Sequence, residues 1–287
     1  MAFDYQTLKN ITTAQIVTGS IGNADIGSGQ VTSSDLASAS INASNLQSGS
    51  IVMSSSQVYN TLQPGNGGTG LTGLGSAYNV LAVNSSGNAF NWVPYGIYGI
   101  QVFTSNSTWT RPSYVRYVKV QLVGAGGGGS GHGESGGAGG YAERVLEVLL
   151  NGINSVSITV QGGDTGSSFY SGAGSRGGST SFGPYLSASG GYGANQNNQH
   201  SGGLAGNGSG GDINLFGGGG QTHHNRSAVG GDCYFGGAVA AGHPQGGNFS
   251  HNHQGHATPG SGGSGAHFSG HYGSQGKNGI VIVTMYY

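Results

Sequence analysis

The first fifty residues carry a hydrophobic ladder with a rung at every fifth position. Ile11, Ile16, Ile21, Ile26, Val31, Leu36, Ile41, Leu46 and Ile51 keep this spacing without a slip. Small or polar residues flank each rung, as in Ala24-Asp25-Ile26 and Ser44-Asn45-Leu46. A period of five matches neither the 3.6-residue helix nor the two-residue strand. It predicts a solenoid-like coil whose aliphatic rungs stack along one axis. These rungs supply only about two coils, too few to bury a column alone, so the ladder is expected to share its column in a homotrimer.

Beyond the ladder the pattern turns to alternation. Asn79–Val83 and 89–93 read as two strands around an Asn-Ser-Ser-Gly turn. Residues 114–123 include an alternating strand in which Arg116, Lys119 and Gln121 can face water. Residues 141–149, Ser155–Val160 and the terminal 279–287 complete the strand candidates. The last begins 119 residues after Val160. Its run Ile280-Val-Ile-Val283 would be an aggregation hazard unless paired, so it is predicted to return beside the strand containing Val118–Val123.

Glycine fills the interval. Residues 1–123 hold 14 glycines and 124–287 hold 49, while 172–279 contain only eleven Leu, Ile, Val or Phe. A two-layer apolar core needs more than that, so this part is either disordered or held mainly by its backbone. Extended three-residue turns of polyglycine II would serve, because their N–H and C=O groups must bond to neighbouring helices. Four long interruptions, 164–171, 192–201, 221–229 and 248–259, recur at 28 to 29 residues, with shorter breaks at 212–216 and 232–235. Disorder has no reason to keep such a period. An up-and-down winding puts the long breaks at one end and the short ones at the other.

Composition then removes several classes. Charged residues are 6% of the chain, against roughly 25% in an ordinary domain. Eight cations and a net charge of −1 exclude a nucleic-acid footprint. No stretch approaches the ~20 apolar residues of a membrane span, so no membrane insertion is expected. The single Cys233 excludes a disulfide framework within one chain. The N-terminus shows no basic segment followed by an apolar one, so no secretory signal is expected.

Little in the chain points to catalysis or a cofactor. Gly124-Ala-Gly-Gly-Gly-Gly129 matches a dinucleotide fingerprint, with Glu143 at a suitable distance. The following Ser-Gly-His-Gly-Glu-Ser-Gly-Gly cannot sustain the required helix. Asp212 and Asp232 share Gly-Gly-Asp contexts and invite comparison with a glycosidase pair, but both read as turn residues. The ten histidines all fall at or after His132. His251-Asn-His253, repeated in three chains, is one way to hold an octahedral ion. The other readings are flat hydrogen-bonding groups for recognition, and polar loop filling. The candidate recognition residues on the long breaks are Tyr170, Tyr192, His200, His223, His224, Arg226, Phe249, His251, His253 and His256.

Three segments resemble known families. The ladder unit is similar to the pentapeptide-repeat family, which implies a β-helix-like shaft, and to ladders in trimeric phage fibres. Residues 64–93, with Gly67-Gly-Thr-Gly-Leu-Thr72, Val80-Leu-Ala-Val-Asn84 and Trp92, resemble a connector recurrent in bacteriophage tail fibres. Roughly 100–287, from Trp109-Thr-Arg-Pro112 through the Gly124 run to Val281-Ile-Val283, resembles the glycine-rich domain at the ends of such fibres. A related body in T-even-type distal adhesins consists of packed polyglycine II helices with loops at the tip. The resemblance implies a mostly β and polyglycine II protein: a shaft at 1–59, a hairpin connector at 60–98, and a β frame at 99–163 closed by 279–287. A polyglycine II body with receptor-binding loops would fill 164–278. It further implies a non-enzymatic virion adhesin, extracellular after host lysis, that binds a glycan or outer-membrane protein. The N-terminus would join other tail or fibre proteins. A structural extracellular filament assembling through the glycine body is the alternative.

Overall fold

The computed structural model describes residues 17–22, 24–32, 34–36, 71, 75–77, 79–84, 86–167, 172–195, 201–223, 226–238, 257–266 and 272–287. The chain divides into two compact units, 1–72 and 73–287. Every regular element among the described residues is a strand.

In the first unit the five-residue period is a period of turns. Ser20, Asp25, Gln30 and Asp35 each donate their N–H to the carbonyl three residues earlier, on Val17, Gly22, Gly27 and Thr32, at 2.9–3.1 Å. Asp25 and Asp35 also accept the amides of Gly22 and Thr32 at 2.8 Å. The Thr32 hydroxyl and amide hold the Asp35 carboxyl below its ordinary value. Each turn delivers the next rung, and Ile21, Ile26, Val31 and Leu36 are 55, 48, 52 and 45% exposed. Ile11, Ile16, Ile41, Leu46 and Ile51 lie outside the described residues.

The second unit opens with a hairpin of β1 (Asn79–Val83) and β2 (Phe90–Pro94). Asn84 and Asn88 bridge its turn, and Gly87 takes the left-handed conformation there, with φ of 71°. Next come β3 (Ile97–Phe103), β4 (Ser107–Thr110), β5 (Tyr117–Val123), β6 (Tyr141–Glu147) and β7 (Ser155–Val160). Short strands β8 (Thr180–Phe182), β9 (Leu186–Ala188), β10 (Gly208–Ser209) and β11 (Ile213–Leu215) precede the closing β12 (Ile280–Tyr286). Two five-stranded antiparallel sheets result, β11-β6-β5-β12-β3 and β10-β9-β8-β7-β4. Their facing residues form one core, with Trp109, Val118, Val120, Leu122, Ile158, Phe182, Val281 and Val283 buried. The expected return of the terminal strand is present: β12 lies between β5 and β3, with Val281 opposite Leu122.

Above this frame the glycine runs satisfy their backbone by exchange with one another. Gly124 and Gly127 donate to 134–140, Ala125 and Gly128 to 172–179, and Gly126 and Gly129 to 272–278. The same run accepts from 162–167, 189–194 and 258–266, so it touches six neighbours. Run 134–140 repeats the rule, donating in rotation to 216–221, 258–266 and 189–194 and accepting from 124–129, 201–207 and 228–232. Partners alternate with a strict period of three, as an extended three-residue repeat requires. Bond registers show successive runs pointing in opposite directions: Gly124 with Gly140 and Gly127 with Gly137 are antiparallel, while Asp164 with Gly126 and Ser167 with Gly129 are parallel. The frame and this body interleave along the chain. The two six-neighbour runs come from 124–140, within the range first read as frame, and β8 to β11 come from within the range first read as body.

Such packing fixes residue type at the closest approaches. A Cβ at Gly126 would collide with the Ser261 carbonyl and sit 2.9 Å from Gly262 N, whereas at Gly219 the nearest atom is 3.9 Å away. We expect Gly126→Ala to cost more than about 4 kcal/mol and Gly219→Ala to stay within about 0.5 kcal/mol, compared by thermal unfolding under circular dichroism. Deletion of 280–287 removes the strand that β5 and β3 share. The truncated chain should sediment as aggregate, and a soluble chain with native circular dichroism would contradict the closing role.

Candidate functional site

The body's free end is built from the turns that reverse its runs. Run 124–129 leaves β5 and 134–140 enters β6, so the intervening turn stands away from the frame. Ser130 closes it, donating its N–H to the Glu134 carbonyl at 2.8 Å. The Ser130 hydroxyl donates to the Glu134 carboxylate, and its oxygen accepts the His132 and Glu134 amides at 3.2 Å. Ser130 and Glu134 are fully buried, and His132 is partly exposed above them. A buried carboxylate needs hydrogen-bond donors, and this hydroxyl supplies one.

The 222–228 break lies against that turn. Gly133 has φ of 105°, and a Cβ there would meet the His223 carbonyl and sit 2.9 Å from the Arg226 carbonyl. Ser135 pins both sides of the break: its hydroxyl donates to Val229 O at 2.6 Å and accepts from Gln221 N at 2.7 Å. Asn195 and Ser201 exchange N–H···O bonds at 2.9 and 3.1 Å across 196–200. Gly273 donates to Ser167, and Ala266 to Ser130, so the flanks of 168–171 and 267–271 reach this same end.

Of the predicted recognition residues, His223 and Arg226 are brought together against the 130–134 turn. Tyr192 is placed differently: its backbone belongs to run 189–194, and its half-exposed ring lies 4.1 Å from the Arg176 guanidinium on the flank of the body. Tyr170, His200, His224, Phe249, His251, His253 and His256 lie outside the described residues. Among the described residues no three His, Cys, Asp or Glu are grouped as metal ligands.

The flanks of 248–259 depart from the expected winding. Run 228–232 descends to Cys233, which packs with Val123 and Tyr141 at the frame. Run 258–266 starts there too, since Gly260 accepts from Gly139, and Ala257 and Pro259 line a cavity of about 410 Å³ with Thr104 and Gly279. A descending run must be followed by an ascending one, so the long break after residue 233 is anchored at the frame end. The reversal at the free end falls instead between Ala266 and Tyr272, whose runs pair antiparallel through Ser274 and Ser264. The described flanks thus put 164–171, 192–201 and 221–229 at the free end and those around 248–259 at the frame, while 248–256 lie outside the described residues.

Asp212 and Asp232 each cap backbone. Asp212 accepts Val145 N at 3.0 Å and Asp232 accepts Ala238 N at 2.8 Å. The glycine fingerprint at 124–129 is likewise interior backbone with no helix behind it.

One polar cluster escaped the sequence reading. On the outer face of the β6 sheet, Gln121 donates to Tyr141 Oη at 2.8 Å and Glu143 at 2.9 Å, Tyr141 donates to Glu143 at 2.5 Å, and Lys119 pairs with Glu143 at 3.1 Å. Tyr234 stacks on Tyr141 at 3.6 Å. Burial and the bond to Glu143 push the Tyr141 phenol well above its ordinary value. Burial opposes ionisation of Glu143, but its Tyr141 and Lys119 partners outweigh it and hold the carboxyl below 4.5. The signal for the cluster was the i, i+2 placement of Tyr141 and Glu143 on one strand face.

A carboxyl with a lowered folded-state pKa adds stability above its unfolded value, and that stability is lost as pH falls through the folded value. We expect the stability gap between the wild type and Glu143→Gln, read from urea midpoints, to be widest near neutral pH and to narrow as the pH falls through the acid range. No curated protein matches the chain. Residues 101–286 match the family described as a glycine-rich domain, and this span, most of the chain, makes the protein a member of that glycine-rich domain family.

Proposed function

We propose that this chain is a receptor-binding adhesin of a bacteriophage tail fibre. Its glycine body acts as a bundle of polyglycine II helices, and the turns at the free end recognise a bacterial surface glycan or outer-membrane protein. The observation that carries this reading is the gathering of reversals at one end: 130–134, 222–228 and the flanks of 168–171, 196–200 and 267–271 all stand opposite the frame. Loops on a rigid scaffold vary without unfolding it, which suits them to recognition. The three-residue rotation of hydrogen-bond partners supports the polyglycine II assignment. The tail-fibre identity rests on the wording of residues 64–93 and on the ladder before them.

Tyr170, His200, His223, His224 and Arg226 sit within or beside those reversals and are the assigned receptor-binding residues. The described flanks of the break that carries Phe249, His251, His253 and His256 meet the frame, so this reading gives that break no receptor contact. The ladder acts as a trimeric shaft or attachment segment in which exposed rungs such as Ile21 and Ile26 find a shared column. Copies displayed together turn weak loop contacts into firm attachment by avidity.

In an adsorption assay with the fibre displayed on particles, replacing 196–200 and 222–227 by Gly-Ser linkers should abolish cell attachment. Replacing 243–253 in the same way should leave it intact. The reverse result would move recognition to the frame end. Light scattering of the full chain should give three times the monomer mass, and a folded monomer at micromolar concentration would remove the shaft assignment.

A further inference from the structure

The frame carries an uncovered apolar face on the sheet β11-β6-β5-β12-β3. The strand registers set Val102 beside Ile282, Ile100 beside Thr284, and Thr284 beside Lys119, which in turn faces Val145. Ile97, Ile100, Val102 and Val145 are 60, 60, 55 and 54% exposed. Tyr95, Ile97, Tyr117, Val145, Tyr286 and Tyr287 line a cleft of about 470 Å³ on the same face. Strand β3 is the sheet's outer edge. The hairpin before it is a two-stranded sheet with Val80 and Val83 40 and 60% exposed. A lone hairpin is marginal in water.

Exposed edges are ordinarily guarded by charge. Here no Asp, Glu, Lys or Arg occurs anywhere from residue 36 to residue 110. The charges the face does carry are matched within it, Lys119 with Glu143 at 3.1 Å and Arg116 with Glu147 at 3.0 Å. An internally neutral face neither repels its own copy nor attracts a partner of opposite charge. Branched aliphatic side chains at Ile97, Ile100, Val102 and Val145 suit the apolar centre of a permanent protein contact. They do not suit the hydroxyls of a saccharide.

We infer that this sheet face, with its β3 edge and tyrosine cleft, is where a second copy of the chain docks, so that copies assemble through the frame and leave the glycine body free. This inference rests on the homo-oligomeric reading above and adds its interface.

The test uses the full chain. Ile100→Cys and Val145→Cys report on the face, and Leu204→Cys, at a site 71% exposed on the glycine body, is the control. The native Cys233 is only 8% exposed and should stay silent. Maleimide labelling should be about tenfold slower at 100 and 145 than at 204, as befits a covered interface centre. Hydrogen exchange of the wild-type β3 amides should be slow as well, a readout that depends on no variant folding. Light scattering on the same samples separates the two readings. A monomer would overturn both. An oligomer with fast labelling at 100 and 145 and fast β3 exchange would overturn the interface and leave the oligomer standing. Slow labelling at 204 with fast labelling at 100 would give assembly to the glycine body. Protection of 100 and 145 in a monomer only on adding maltohexaose would make the face a saccharide site and overturn the proposal.

Discussion

The structure depends on one constraint: buried backbone amides and carbonyls must be paired. Runs 124–129 and 134–140 are buried throughout and offer few side chains that could bury apolar area. Extended three-residue turns have no internal bonds, so each run can be interior only if neighbours surround it on all sides. Six neighbours apiece meet that requirement. The requirement in turn dictates glycine, because a Cβ at positions such as Gly126 would stand where a neighbouring carbonyl already is. Glycine loses the most conformational entropy on folding, and a dense network of bonds at 2.8–3.3 Å, such as those along 124–129, offsets that loss.

Backbone bonds of this kind are interchangeable from run to run and carry no register information of their own. The frame supplies it. The core of Trp109, Val118, Leu122, Ile158 and Phe182 is an ordinary two-sheet apolar core, with strands alternating between buried and open faces. Strands β5 and β6 launch and receive the two six-neighbour runs, and β12 locks between β5 and β3 only after the last run has returned. The frame thus holds both the strands that start and receive those runs and the terminal strand that completes the sheet. This explains why its strands are scattered along the chain rather than grouped.

What was legible in the sequence follows from this division. Asn79–Val83, Ser155–Val160 and the pairing of β12 with β5 were readable because alternating or dense β-branched residues announce a strand. Strand β3 was not, because Gly99 interrupts its pattern, and β4 offers only Trp109 as an inward side chain. The brief strands β8 to β11 sit among glycines and have too few residues to show a period. At the free end, three reversals were legible from their spacing. For the fourth, spacing alone cannot tell which end of the body its flanks meet; that is fixed by the direction of the preceding run, here 228–232 descending to Cys233. The choice of six neighbours for each run was illegible in principle, since glycine has no side chain to encode a partner.

The same physics separates stability from chemistry more sharply than in a side-chain core. At the closest approaches, such as Gly126, almost nothing can change because a Cβ would meet a neighbouring carbonyl, whereas Ala125 and Ala138 sit where the packing admits a methyl group. On the outer sheet face and at exposed His223 and Arg226, side chains stand outside that backbone network. Ser130, Glu134 and Ser135 mark the border: they use side-chain oxygens to finish the hydrogen bonding that the turns leave undone. Beyond them, the His223 and Arg226 carbonyls lie close to Gly133 and both residues are exposed. A scaffold whose interior is fixed by geometry and whose ends are unconstrained can exchange one set of exposed residues for another without refolding. That property is the physical ground for the proposal that the free end of this domain serves recognition.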